Sequence, residues 1–86
     1  MKVITTKYLG PTNYRPSRIK AYADGVKPIT VSYKHEYQLS DNHRAVAILL
    51  AVEYGWERRN DIVSGQDYNG DFQHVLTPKR DLLDEN

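Results

Sequence analysis

Alternating apolar and polar residues predict three strands in the first part of the chain. Residues 3–9 read VITTKYL, a β-branched and aromatic run that stops at Gly10-Pro11. Residues 10–17, GPTNYRPS, predict an irregular loop because two prolines interrupt regular hydrogen bonding. Residues 18–23 and 29–34 each alternate on either side of a turn at Asp24-Gly25, so they predict an antiparallel hairpin. Its polar side carries Arg18, Lys20 and Tyr22, and its apolar side carries Ile19, Ala21 and Ala23.

One helix is predicted over residues 44–54, between candidate N-caps at Ser40-Asp41-Asn42 and a terminating glycine at Gly55. Its apolar residues fall on two neighbouring stripes, and we expect the stripe of Ala45, Ile48, Leu49 and Val52 to cover the sheet. The second stripe has two interpretations. It either packs under the last hairpin and Trp56, or it forms an interface with a second copy or another partner. This stripe consists of Val46, Leu50 and Tyr54.

A second hairpin is predicted from residues 62–68 and 71–77, which flank Asn69-Gly70. A two-residue type I′ turn places Tyr68 opposite Asp71. In that register one side of the hairpin faces the core, and this side carries Val63, Phe72, His74 and Leu76. Beyond Thr77-Pro78 we expect at most a last helical turn around Leu82 and Leu83, with a frayed acidic tail over residues 79–86.

The element order βββαββ predicts one small α+β domain over residues 1–86, with one main helix on one face of an antiparallel sheet. Its 86 residues leave little room for a deep catalytic cleft. The chain has no cysteine, which favours an intracellular setting. Its longest apolar run, residues 45–52, is too short to span a bilayer, and residues 1–6 lack the apolar segment of a signal peptide. We therefore expect a cytoplasmic protein.

Charge is divided unequally along the chain. Residues 1–35 carry seven Lys or Arg and one Asp, a net charge of +6, whereas residues 36–86 carry five basic and ten acidic residues, a net charge of −5. Charges of one sign on one face attract an acidic partner, because their fields add. The division matters only if it survives folding. Strands from the two halves that interleave in one sheet would instead neutralise each other as ordinary surface pairs.

No catalytic or metal-binding pattern stands out. The spacing of His35, His43 and His74 matches no zinc motif, and there is no cysteine to complete a site. The run D-x-N-x-D from Asp67 resembles the start of a calcium loop, but Gly70 comes too early and Pro78 stands where the bidentate Glu belongs. We expect a turn there, no cofactor, and no enzyme.

Cations interleaved with tyrosines in the first half predict a binding surface. Arg and Lys suit phosphates, and aromatic rings stack on unpaired bases. The same composition suits an acidic protein surface, since Tyr and Arg are enriched at interface hot spots. In the alternative interpretation, Tyr8 and Tyr33 belong to the core and the lysines only keep an edge strand soluble. The candidate binding residues are Lys7, Tyr14, Arg15, Arg18, Lys20, Tyr22 and Lys34.

Residues 4–21, ITTKYLGPTNYRPSRIKA, together with Asn42-His43-Arg44-Ala45 and Gly55-Trp56, resemble small bacteriophage and plasmid proteins that mostly lack an assigned function. The resemblance covers about the first two thirds of the chain. In that group the loop tends to read T-N-T-R-G-S-R, whereas Tyr14 and Pro16 stand here. The resemblance implies a mobile-element accessory protein, a kind that often inhibits host defence by occupying a binding surface.

Three functions follow as expectations. The first is a non-enzymatic protein that blocks a host nucleic-acid-handling or defence complex, such as CRISPR or restriction machinery. The second is direct DNA or RNA binding by the basic sheet side. The third is a homodimeric structural protein joined through Val46, Leu50 and Tyr54. The expected partner is a host protein or nucleoprotein, or DNA or RNA, and not a membrane; the protein itself is a monomer or a homodimer.

Overall fold

The computed structural model describes residues 2–79, and its elements follow the predicted order βββαββ. A 3-10 turn at Trp56–Arg58 follows the helix, and no helix within the described range is long and apolar enough to cross a membrane. The predictions for the last helical turn and for the tail from residue 80 onward lie outside the described residues. The strands and helix are β1 (Lys2–Leu9), β2 (Arg18–Tyr22), β3 (Ile29–Ser32), α1 (Leu39–Glu53), β4 (Asn60–Gln66) and β5 (Phe72–Pro78).

The five strands form one antiparallel sheet in the order β3-β2-β1-β5-β4. The α+β class with one main helix is thus confirmed. β1 is the central strand, with the other two strands of the basic half on one side of it and the two strands of the acidic half on the other. Within the sheet, the two halves of the chain therefore meet only between β1 and β5. Because they do not interleave, the division of charge along the sequence becomes a division across the sheet.

The core lies between α1 and one face of the sheet. Val46 and Leu50 are 4% and 0% exposed, whereas Leu49 and Val52 are each 51% exposed. Our expectation that the stripe of Ala45, Ile48, Leu49 and Val52 covers the sheet is therefore wrong, whereas Val46 and Leu50 pack as the first interpretation of the second stripe proposed. Val46 and Leu50 pack in a cluster with Trp56 at its edge and cannot form a partner face, and the stripe of Ala45, Ile48, Leu49 and Val52 faces solvent. The buried core residues are Ile4, Ile19, Ala21, Val46, Ala47, Leu50, Ala51 and Leu76.

Two buried polar residues explain this rotation of α1. Asn42 and His43 lie on the buried side, in line with Val46, Ala47 and Leu50, although an apolar pattern leaves them out. Tyr54 is partly exposed, but its hydroxyl accepts a hydrogen bond from the backbone N–H of Lys27 (3.1 Å), so it is not a free partner face either. The side of the helix that packs is set by polar residues that find partners, as well as by apolar ones.

Asn42, one of the candidate N-caps, instead joins the helix to the preceding connection. The helix begins at Leu39, so the predicted caps lie inside its first turn. The Asn42 side chain accepts a hydrogen bond from the Lys34 N–H (2.8 Å) and donates to the Lys34 carbonyl (2.9 Å). It also donates to the carbonyls of Tyr37 and Gln38. A single buried amide thus fixes the connection between β3 and α1.

The second hairpin forms in a register one residue away from the predicted one. Val63 lies opposite Val75, and Val63 is 59% exposed rather than buried. Gly70 has a φ of +92°, but no non-glycine residue in the described range has a positive φ, so Asn69 does not adopt the type I′ conformation. The Gly70 N–H instead bonds the Asp67 carbonyl (3.1 Å), and a three-residue loop results. Phe72, His74 and Leu76 still face the core, as predicted.

Candidate functional site

Four of the predicted binding residues lie together on the sheet face opposite α1. In the β1–β2 ladder Lys7 is directly opposite Lys20, and Thr5 is directly opposite Tyr22. Directly opposed residues point to the same side of a sheet, and the alternate positions Thr6, Ile19 and Ala21 are buried under the helix. We call the outward-facing group of Lys7, Arg18, Lys20 and Tyr22 the basic sheet face.

Like charges meet at the centre of this face. Lys7 and Lys20 are neighbours across two strands, an arrangement that is unfavourable in the absence of an anion. The Lys20 ammonium lies 5.7 Å from the centre of the Tyr22 ring, and the two form a cation–π interaction. The arrangement can therefore accept a phosphate or carboxylate between two ammonium groups, beside an exposed aromatic ring.

The acidic half of the chain meets this face at the border between β1 and β5. Thr6 pairs with Phe72, so Lys7 and Asp71, the next residue along each chain segment, are neighbours across that border. Asp67 lies on the same side, because its carboxylate accepts a hydrogen bond from the amide of Gln73, which is opposite Thr5. These carboxylates weaken the positive field around Lys7, whereas Arg18 and Lys20 lie on β2, on the far side of β1 from the acidic half.

Three predicted residues lie at the margin of the basic sheet face, beside Arg18. Tyr14 and Arg15 lie in the loop that joins β1 to β2, and Tyr14 is 94% exposed. The hydroxyl of Thr12 accepts hydrogen bonds from the N–H groups of Tyr14 and Arg15, and these bonds define a turn in the loop. Lys34 follows β3, whose Ser32 pairs with Arg18.

Tyr33 packs against the core, as the alternative interpretation proposed, whereas Tyr8 is 42% exposed and lies outside it. Tyr8 points to the helix side, where its hydroxyl donates to Ser17 Oγ (2.9 Å) and its ring meets Tyr33 edge-on at 5.4 Å. The Ser17 carbonyl accepts the Tyr33 N–H, which extends the β2–β3 ladder. These contacts stabilise the end of the sheet at which Arg18 lies.

An apolar row occupies the other end of the open face. Val3, Val75 and Val63 lie directly opposite one another across β1, β5 and β4. This row was not predicted, because the predicted hairpin register places Val63 on the core side. The open face thus combines a cationic end and an apolar end.

A buried polar chain lies beneath the basic sheet face and was also missed. Thr6 Oγ1 lies 2.7 Å from His43 Nδ1 and 2.8 Å from His74 Nε2, and all three side chains are inaccessible to solvent. Ser64 Oγ lies 2.7 Å from His74 Nδ1 and accepts a hydrogen bond from Arg44 (3.3 Å). Strand alternation signals the position of His74, but the register error conceals Ser64.

Burial dominates the protonation of both rings. It lowers the pKa of His74 to about 4, and the charges of His43 and Arg44 act in the same direction. Burial also lowers the pKa of His43, although the Asp71 carboxylate opposes this shift. Both imidazoles are therefore neutral at pH 7.

The acidic hairpin loop has a structural explanation. One oxygen of Asp67 accepts the N–H groups of Asn69 and Asp71, and the other accepts the Gln73 amide. The hydrogen bond from Gln73 contributes most to holding the pKa of Asp67 below its usual range. Within residues 2–79 no group of three or more His, Asp or Glu side chains is arranged to hold a metal ion.

Comparison with known proteins adds no family. The chain matches no family model, no curated protein and no solved structure. The resemblance to bacteriophage and plasmid proteins stays a prediction. The open sheet face, with Lys7 opposite Lys20 and Tyr22 beside them, is the feature that indicates a function.

Proposed function

We propose that this chain is a small non-enzymatic binding protein whose basic sheet face binds an anionic macromolecular surface. The supporting observation is the direct opposition of Lys7 and Lys20 on an open face, with Tyr22 beside them. Like-charged residues across a ladder reduce stability. An anionic partner would compensate for this repulsion between Lys7 and Lys20 when it binds.

The setting that we propose is a mobile element in the bacterial cytoplasm, where the protein blocks a host nucleic-acid-handling or defence complex. A basic face with an exposed aromatic ring can bind the nucleic acid of such a complex or an acidic protein surface on it. Phage restriction or plasmid interference in a host with a CRISPR or restriction system tests the proposal. Expression of the protein should raise plaquing or transformation, and R18E/K20E should abolish this effect.

Direct DNA or RNA binding is the second candidate. It is favoured by the Lys20 ammonium over the Tyr22 ring, because a cation and a partly exposed aromatic side chain together suit a phosphate and its stacked base. Fluorescence anisotropy with a labelled 20-nucleotide single strand and the matching duplex tests this candidate. Affinity should fall steeply as salt rises from 50 to 200 mM, since binding releases counterions.

A matched control separates the surface from net charge. K27E/R58E changes the net charge by the same amount as R18E/K20E, but both of its positions lie outside the strands, in the β2–β3 connection and the 3-10 turn. If the basic sheet face is the site, R18E/K20E loses at least tenfold in affinity and K27E/R58E loses much less. Equal losses in the two variants, or no binding at 50 mM salt, would exclude the nucleic-acid candidate.

A further inference from the structure

The hydrogen-bonded chain of Thr6, His43, His74 and Ser64 joins four elements of the fold. Thr6 belongs to β1, His43 to α1, His74 to β5 and Ser64 to β4, and all but the exposed Ser64 are buried. Consecutive members are 2.7–2.8 Å apart, and Arg44 donates to Ser64 at 3.3 Å and to the Ile62 carbonyl at 2.9 Å. The chain and Arg44 together form the polar contact between the first half of the helix and the three strands beneath it.

The hydrogens that the members carry allow a direction to be assigned to this chain. Arg44 has only donors, so Ser64 accepts from it, and we assign the Ser64 hydrogen to His74 Nδ1. His74 then carries its hydrogen on Nε2 and donates it to Thr6. Thr6 donates in turn to His43 Nδ1, which places the His43 hydrogen on Nε2. In this arrangement every hydroxyl hydrogen has an acceptor, and both imidazoles are neutral.

An added proton disrupts that arrangement. The basic nitrogen of each neutral ring, Nδ1, already accepts a hydroxyl hydrogen. Protonation of His43 would direct hydrogens from both rings at the single oxygen of Thr6 and leave the Thr6 hydrogen without its acceptor. Protonation of His74 would place a cation near Arg44 in a buried site. Neither ring can be charged without a loss of hydrogen bonding or of solvation.

The helix is the element best able to separate. β1, β4 and β5 are held together by backbone ladders, whereas α1 is held to them by side chains. His43 Nε2 is buried and has no hydrogen-bond partner among the described residues, so water that enters beside it gains a contact. His43 also stacks on Phe72 at 4.3 Å, and this apolar contact opposes opening at neutral pH.

The charged groups around the two rings determine the response to acid. Arg44 in α1 opposes protonation of His74, and Asp71 before β5 favours protonation of His43. The facing groups from β1 and β4, Thr6 and Ser64, do not titrate. The two histidines are therefore the buried titratable groups of this contact.

We infer that the Thr6–His43–His74–Ser64 chain is an acid-sensitive latch, which holds the first half of α1 on the sheet at neutral pH and releases it in acid. The open state would expose the inner side of β1, whose outer side carries Lys7 of the basic sheet face. Release of the helix would therefore loosen the strand that presents Lys7. This inference does not depend on the identity of the binding partner.

The test uses the unmodified protein, since substitutions in the latch would themselves affect folding. Imidazole ¹⁵N chemical shifts at pH 7 should show the Nε2–H tautomer for both His43 and His74. Amide hydrogen exchange, corrected for intrinsic rates, should show that protection of residues 42–47 falls at least tenfold between pH 7 and pH 4.5. At pH 4.5 the exchange of residues 42–47 should depend little on urea, whereas exchange of the β1–β2 ladder, which requires global unfolding, should rise steeply with urea.

The exposed His35 provides the control variant. H35Q should keep the same loss of helix protection, because this side chain is outside the latch. The inference is overturned if the two buried rings titrate near pH 6.5 without loss of helix protection. It is also overturned if exchange of the helix and of the ladder depends equally on urea at pH 4.5, because that result indicates global unfolding rather than release of one element.

Discussion

Lys7 and Lys20 lie directly opposite each other across the β1–β2 ladder, on the side of the sheet that α1 leaves open. Their repulsion predicts that K7E stabilises the protein. The new opposite-charge pair should raise the free energy of unfolding by roughly 0.2–1 kcal/mol, while affinity for an anionic partner falls. Urea denaturation at low salt measures the stability, and the gain should shrink at high salt.

K7Q is the matched control for this prediction, because it removes the repulsion without adding attraction. Its stability should lie between those of the wild type and K7E. A K7E protein less stable than the wild type at low salt would mean that attraction between Lys7 and the neighbouring Asp71 outweighs the repulsion between Lys7 and Lys20.

Glycine 70 allows a test of the hairpin loop. Its φ is +92°, and a Cβ atom built there would meet nothing within 4 Å, so the effect of G70A is confined to the backbone. Because residues with a Cβ rarely adopt this conformation, we expect a loss of about 1 kcal/mol. Thermal unfolding measures it. G65A is the control, since Gly65 has no positive φ and the same free space, and it should be neutral or slightly stabilising.

The position of this hairpin turn could be predicted from the sequence, but the strand register could not. Asn69-Gly70 correctly marked the turn, but one residue more in the loop moved Val63 from the core to the open face. A local motif indicates a turn without fixing how many residues form it. The register is decided by longer-range contacts, such as the one between Ser64 and His74.

The predicted orientation of the helix was wrong for a related physical reason. Apolar spacing alone suggested that Leu49 and Val52 cover the sheet, whereas Asn42 and His43 take buried positions because partners from other elements satisfy them. Those partners are distant in sequence. By contrast, strand alternation sufficed for Arg18, Lys20 and Tyr22, because both faces of a strand follow from a period of two.

Asn42 is predicted to contribute strongly to stability. N42A removes hydrogen bonds to the backbone of Lys34, Tyr37 and Gln38 and leaves a cavity at the start of α1. We expect a loss of roughly 2–3 kcal/mol, measured by urea denaturation. N13A, in the exposed loop between β1 and β2, is the control and should change stability by less than about 0.5 kcal/mol. Similar losses in both variants would contradict the structural role of Asn42.

Stability should depend on pH because His74 titrates lower in the folded state than in the unfolded state. Between the unfolded pKa of 6.5 and the folded pKa of about 4, the unfolded chain binds more protons, so stability falls as pH falls. The shift corresponds to at most roughly 3 kcal/mol from His74. Urea midpoints at pH 7, 5.5 and 4 measure the trend, with H35Q as the control. Stability that stays constant over this range would contradict the buried neutral state of His74.

Thr6 is the shared partner of both buried rings, and T6V tests its hydroxyl with little change in side-chain shape. Removal of that hydroxyl leaves His43 Nδ1 and His74 Nε2 buried without a partner, so we expect a loss of roughly 2–4 kcal/mol at pH 7. T30V provides the comparison, because Thr30 lies exposed on β3 and valine suits a strand. T30V should be neutral or slightly stabilising by urea denaturation. If T6V is as stable as T30V, the hydrogen bonds of Thr6 do not stabilise the fold, and the helix is held to the sheet by apolar packing alone.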